Sequence, residues 1–200
     1  MVFESSYTVP KMLQNAANEF AEITAQLKRS KGGDFEPISY RNMFQYGLDF
    51  GAALLKKGVK REQPIGLISD DRAEWQWADI GIMSIGAVDV PRGCDATLND
   101  LEKILSITET EIVIAENNSQ VNKIVTLKEK LPAVKTIIYF EPDLKDEVIG
   151  AAKAADIELL YFMDVLKEGQ IWRVENKGVV EAELEKGHGD DVATIIFTSG

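Results

Sequence analysis

Pro64-Ile65-Gly66-Leu67-Ile68-Ser69, followed by Ala73 to Ile85 and then by Gly86-Ala87-Val88-Asp89-Val90-Pro91, is the stretch that decides the fold. The first six residues are a short apolar run bounded by turn-forming residues, which predicts a buried strand. Asp70 and Asp71 come next and are placed to cap a helix over Ala73 to Ile85, since acidic side chains favour a helix N-terminus. Gly86 to Pro91 is a second short apolar run. Strand, helix, strand in that rhythm is the unit of a parallel sheet.

The rhythm continues in both directions. Upstream, Ser39 caps a helix whose apolar face is Tyr40, Met43, Phe44, Gly47, Phe50, Ala53, Leu54 and Leu55, and Gly58 ends it. Before it, Met12, Ala16, Phe20, Ile23 and Leu27 recur at helical spacing, so Val9 to Leu27 reads as a helix and Lys28 to Gly33 as a loop or hairpin tip. Residues 1–38 are therefore expected to be an N-terminal helical arm and 39–200 an α/β subdomain. Downstream, Thr97 with Asp100 three residues on is an acidic variant of the capping box, and Leu98, Leu101, Ile104 and Leu105 form the inner face of the helix it opens. Ile112 to Ala115 is a strand, Ser119 to Leu131 a helix, and Thr136 to Phe140 a strand. Then come a helix from Lys145 to Ala155, a strand from Glu158 to Phe162 and an acidic helical stretch from Val165 to Lys186. Val192 to Phe197 reads as a last, buried strand. The fold class is α/β, with a mostly parallel sheet and helices on both faces.

Charge and composition exclude several functions. Lys and Arg number 22 against 33 Asp and Glu, a net charge of -11, which argues against a general nucleic-acid binder because phosphate neutralisation needs clustered cations. ATP stays within reach, since backbone amides and one or two local cations suffice to hold it. The single cysteine, Cys94, excludes an internal disulfide, and the single histidine, His188, leaves no His/Cys zinc set. Both suit a reducing, cytoplasmic setting. Cys94 reads as a small packed residue and His188 as part of a solvated loop. No charged segment followed by a long apolar core marks a signal peptide, and no stretch approaches the roughly 18 apolar residues that would span a bilayer.

Other constellations read as structure. Trp75 and Trp77 pack a helix onto the sheet, Asp190-Asp191 is a solvated strand entry, and Glu181 to Lys186 is a solvated face. Gly81, Gly86 and Gly93 lack the spacing of a dinucleotide fingerprint. No catalytic and no metal-binding residue is assigned within these 200 residues. Thr198-Ser199-Gly200, delivered by an apolar strand, is how many phosphate-binding loops begin, because small residues bare their backbone N–H groups and hydroxyls add donors. Such loops run on through more glycines, a lysine and a helix, so the chain reads as the front piece of a larger nucleotide-using enzyme.

Three segments together resemble the adenylate-forming acyl-CoA synthetases, the AMP-forming ligases of the luciferase and fatty-acid type. They are Ser39 to Gly58, the run Ile65 to Trp75 with Gly86 to Pro91 and Thr97 to Glu109, and Asp191 to Gly200. The second resembles the long-chain fatty-acid branch; a branch acting on aryl or amino acids is the neighbouring alternative. The resemblance implies the large N-terminal domain of that fold and a two-step reaction. A fatty-acid carboxylate attacks the α-phosphate of ATP-Mg2+ to give acyl-adenylate and pyrophosphate, and coenzyme A then displaces AMP. It implies that Thr198, Ser199 and Gly200 start the ATP phosphate loop. Catalytic lysine, metal-binding acid and most of the acyl tunnel are implied to lie outside these residues. A peripheral membrane contact is implied for the whole enzyme, and an uncovered sheet edge predicts self-association of the 200-residue chain. The rival reading is a self-contained, flavodoxin-like α/β binding or interaction module.

Overall fold

The computed structural model describes residues 7–30 and 32–198. They form two compact units, one built from residues up to Glu62 with Asp71–Ala87 and Leu166–Ala193, the other from Gln63–Asp70, Val88–Val165 and the residues from Thr194 on.

In the first unit, α1 (Val9–Glu19) is capped by Thr8 and closed at Phe20. The chain then turns into a hairpin of β1 (Thr24–Arg29) and β2 (Phe35–Ser39), antiparallel with Arg29 opposite Phe35. This corrects the helix expected to reach Leu27. Ile23 and Leu27, counted as an apolar helical face, are 56% and 63% exposed, and the backbone of 24–29 is satisfied by its partner strand instead. The loop expected over Lys28 to Gly33 starts later, because Lys28 and Arg29 are still paired in β1 with Glu36 and Phe35. Ser39 accepts the Asn42 amide and starts α2 (Tyr40–Lys56), and Gly58 ends it in a left-handed conformation (φ 85°) that a side chain resists.

α3 (Ala73–Ser84) crosses α2 at glycines. A Cβ on Gly81 would lie 2.7 Å from the Gly47 carbonyl oxygen and 2.8 Å from the Gly51 amide nitrogen, so the two backbones touch. α3 takes no side-chain cap; its N-cap residue is Arg72, not Asp70 or Asp71. The C-terminal part of α7 (Phe162–Glu175) and α8 (Val179–Glu185) complete this unit. Arg173 bonds Asp49 Oδ1 at 2.9 Å and Glu181 Oε1 at 2.7 Å, and Val180 and Leu184 are buried. The stretch from Glu181 to Lys186 is thus only partly a solvated face.

The second unit holds the parallel sheet: β3 (Pro64–Ile68), β4 (Val88–Arg92), β5 (Ile112–Ala115), β6 (Thr136–Tyr139) and β7 (Glu158–Tyr161), in the order β4-β3-β5-β6-β7. α4 (Leu98–Ile107), α5 (Asn118–Thr126) and α6 (Asp146–Ala154) connect the strands. Val90, Ile68, Val113 and Ile137 point to one side and pack with Leu101, Ile104, Val121, Ile124 and Val148 of these helices. The alternating residues Leu67, Ile112, Ile114 and Ile138 are buried too, as a parallel sheet requires. The capping box is present as read: Thr97 accepts the Asp100 amide and Asp100 accepts the Thr97 amide. Bonds from the Thr97 backbone and hydroxyl hold the Asp100 carboxyl below the usual carboxylate range.

The last expected strand differs. Thr194 makes a single parallel bridge to Asp89 of β4, with the Ile195 amide donating to the Asp89 carbonyl at 2.8 Å. Val192 and Ile196 are exposed at 56% and 67%, while Ile195 and Phe197 pack against the core under α4 and α5. The apolar run is therefore one-sided, not fully buried, because it lies along the outer edge of β4 and only alternate residues face inward. No helix among the described residues is long and apolar enough to cross a membrane.

Candidate functional site

Parallel α/β sheets gather their ligand groups at the carboxyl ends of the strands, above all where successive connections leave in opposite directions. Here β3 has β4 on one side and β5 on the other, so the chain reverses at β3. The loops at that end carry Ser69, Asp70, Cys94 and Glu116. Glu116 Oε2 accepts the Ser69 hydroxyl at 3.0 Å and the Asp70 amide at 2.8 Å, and Asp70 Oδ1 accepts the Cys94 amide at 2.9 Å. Lys123 donates to the carbonyls of Cys94 and Ala96 at 3.0 and 2.8 Å. These bonds tie three loops into one frame.

The frame has little chemistry of its own. Ligand atoms of Asp70, Cys94 and Glu116 lie within 4.8 Å of one another. Burial, with Glu116 beside it, pushes the Cys94 thiol up to about 11, so it stays protonated and is a poor nucleophile at neutral pH. Mg2+ needs several hard oxygen ligands in an octahedron, whereas this set offers a thiol and two carboxylates already engaged by amides and a hydroxyl. The residues do not fit Mg2+. Cys94→Ser is expected to leave any activity within about twofold of the parent and to abolish slow thiol labelling. Rapid labelling of the parent chain by a thiol reagent at pH 7 would contradict the protonated-thiol assignment.

Thr198 stands at the same edge. Phe197 and Thr198 border a groove that Arg92, the last residue of β4, also lines. Its volume is about 530 Å3, and Asn99, Asp100, Lys103 and Ile104 complete its lining. Ser199 and Gly200 lie outside the described residues.

The remaining residues singled out in the sequence fall elsewhere. His188 is exposed on its loop, 3.5 Å from Asp190. Asp191 does more than enter a strand: its Oδ2 accepts from Arg61 at 2.7 Å and from the His188 amide at 2.9 Å. Trp77 is buried on Tyr46, with ring centroids 4.4 Å apart, and its Nε1 donates to Gln26 Oε1 at 2.9 Å. Beside it Glu74 is 6% exposed. Burial acts to raise its carboxyl, but bonds from Lys28 and Arg72 outweigh this and hold it below the usual range. Neither the burial of Glu74 nor the cationic groove was read from the sequence, because each depends on residues far apart in the chain.

The chain is similar to proteins of known kind. It matches the AMP-binding enzyme family over residues 13–200. A chloroplastic "probable acyl-activating enzyme 16" of Arabidopsis thaliana is 30% identical over 166 residues, 82% of this chain and 23% of that protein. Fatty acyl-CoA synthetase A of Dictyostelium discoideum is 25% identical over 97% of this chain and 27% of its own length. The chain thus spans about a quarter of these relatives. Among solved structures, the adenylation domain of a Mycobacterium chelonae carboxylate reductase superposes with a TM-score of 0.71 at 16% identity, over 84% of this chain and 30% of that one. An anthranilate CoA ligase holding anthranoyl-AMP gives 0.69 at 20% identity, over 83% and 29%. The five-stranded parallel sheet and the match over residues 13–200 agree, and the chain belongs to the AMP-binding enzyme family.

Proposed function

We propose that the protein carrying this chain activates long-chain fatty acids with ATP, giving acyl-adenylate and then acyl-CoA. Thr198, Ser199 and Gly200 are proposed to open the loop that wraps the nucleotide phosphates. The reading is carried by the match to the AMP-binding family over residues 13–200, with fatty acyl ligases prominent among the named relatives. The position of Thr198 in a groove shared with Arg92, at the carboxyl end of β4, supports it, since backbone amides and hydroxyls there can meet phosphate oxygens. The binding of Mg2+ and coenzyme A belongs to this proposal, to be met by residues beyond the frame described above. So do residues 1–38 as an N-terminal arm, a cytoplasmic setting and a peripheral membrane contact.

A polypeptide of these 200 residues alone is expected neither to bind ATP tightly nor to form acyl-adenylate. Most of the phosphate loop, the metal-binding acid and the catalytic lysine that the resemblance implies are not among these residues. Calorimetric titration of ATP, with an acyl-AMP assay, on this polypeptide and on one extended through any codons beyond Gly200 tests both statements. Binding and acyl-AMP in the extended protein alone is the expected result. No nucleotide binding in either would move the reading to an interaction module, a role compatible with the strand order β4-β3-β5-β6-β7, which is that of flavodoxin-like folds.

A further inference from the structure

We infer that Arg92 and Lys103 form the cationic wall that receives the pyrophosphate end of the nucleotide, an assignment that rests on the ATP-using reading above. Both side chains line the groove that also holds Thr198. Arg92 is there because it is the last residue of β4, and Phe197 and Thr198 border the same groove. Lys103 is there because it lies four residues after Asn99 on α4, which puts both on one helix face turned to the groove.

Charge makes the pairing informative. The chain carries a net charge of -11, yet two cations converge on this one groove. The acid that lines it, Asp100, spends Oδ2 on the Thr97 amide at 2.9 Å and the Thr97 hydroxyl at 2.8 Å. Arg92 reaches Asp95 at 3.3 Å, but Asp95 is 76% exposed, and exposed pairs of that kind contribute little and exchange readily. A guanidinium can then turn its fork to two phosphate oxygens while the ammonium adds a point charge from the facing helix. Asp100 stays ionised between Arg92 and Lys103, so the groove offers a hydroxyl and two cations set against one carboxylate, a net positive lining, to a polyphosphate, the group that gathers negative charge when the α-phosphate is attacked.

The test uses the extended protein, with Arg92→Ala, Lys103→Ala, the double variant and Arg92→Lys. For the double variant, KM for ATP and the inhibition constant for inorganic pyrophosphate are expected to rise at least about tenfold, since charged hydrogen bonds to phosphate are lost. KM for the fatty acid and the melting temperature stay as in the parent, and Arg92→Lys recovers part of the loss. An ATP KM within twofold of the parent overturns the assignment. A rise in KM for coenzyme A with ATP unaffected overturns it as well, and gives the cations to that ligand's phosphates. Calorimetry separates this assignment from the reading beneath it. Pyrophosphate binding to the parent that disappears in the double variant upholds the cationic wall even if no fatty acid is activated, whereas failure to activate any fatty acid defeats the functional reading alone.

Discussion

Replacing Arg173 with methionine is expected to destabilise the chain by about 3–5 kcal/mol at neutral pH, among the largest losses available to a single substitution here. The guanidinium bonds Asp49 Oδ1 and Gln45 Oε1, both at 2.9 Å, and Glu181 Oε1 at 2.7 Å. Asp49 is 6% exposed, so removing its cation leaves a carboxylate with neither water nor partner. Burial already raises the Asp49 carboxyl above its ordinary value, against the lowering effect of Arg173. The sign of the pH dependence follows. A carboxyl with a raised folded-state value favours folding at low pH, and that contribution is lost as pH rises through the folded value. Without Arg173 the value rises further, so the deficit of Arg173→Met should shrink on acidification toward pH 4 and widen toward pH 8. Asp49→Asn in the same chain should restore most of the loss, because an amide is neutral. Urea melts at pH 4.5 and 7.5 check this; a deficit under 1 kcal/mol at pH 7.5 would show that the ion cluster is dispensable.

Gly81→Leu is expected to cost at least about 3 kcal/mol, or roughly 6–12 °C in melting temperature, and Gly81→Ala already about 1–3 kcal/mol because its Cβ meets the same backbone. The Cβ of any residue at 81 would stand 2.7 Å from the Gly47 carbonyl oxygen, 2.8 Å from the Gly51 amide nitrogen and 2.9 Å from Phe50 Cδ1. Two of those neighbours are backbone, so the side chain cannot turn away and the helices must separate. Phe50, Leu54 and Ile80, fully buried near this crossing, would lose packing as α2 and α3 part. The control is Gly150→Ala on α6, where a Cβ meets nothing within 4 Å and a small gain in stability is expected from better helix propensity. Equal melting temperatures for Gly81→Leu and the parent would refute the backbone contact.

The sequence by itself determined what local physics governs. Short apolar runs and helical periodicity located all five strands of the parallel sheet and the helices between them, because strand and helix patterns repeat within a few residues. Ser39, Thr97 with Asp100, and Gly58 were legible as helix ends for the same reason: each acts on amides or backbone angles three or four residues away. Tertiary structure decided the rest. Ile23 and Leu27 continue the helical spacing of Met12, Ala16 and Phe20, and only a partner strand some ten residues on, with Trp77 holding Gln26, makes Thr24 to Arg29 extended. Arg173 and Asp49 lie 124 residues apart, and nothing local distinguishes them from surface charges. Val192 to Phe197 is apolar enough to be a central strand, yet its place along β4 leaves alternate residues facing out. The groove of Arg92, Lys103 and Thr198 exists only because the end of β4, a face of α4 and a segment distant in sequence meet there. Topology sets such encounters, and no periodicity along the chain records them.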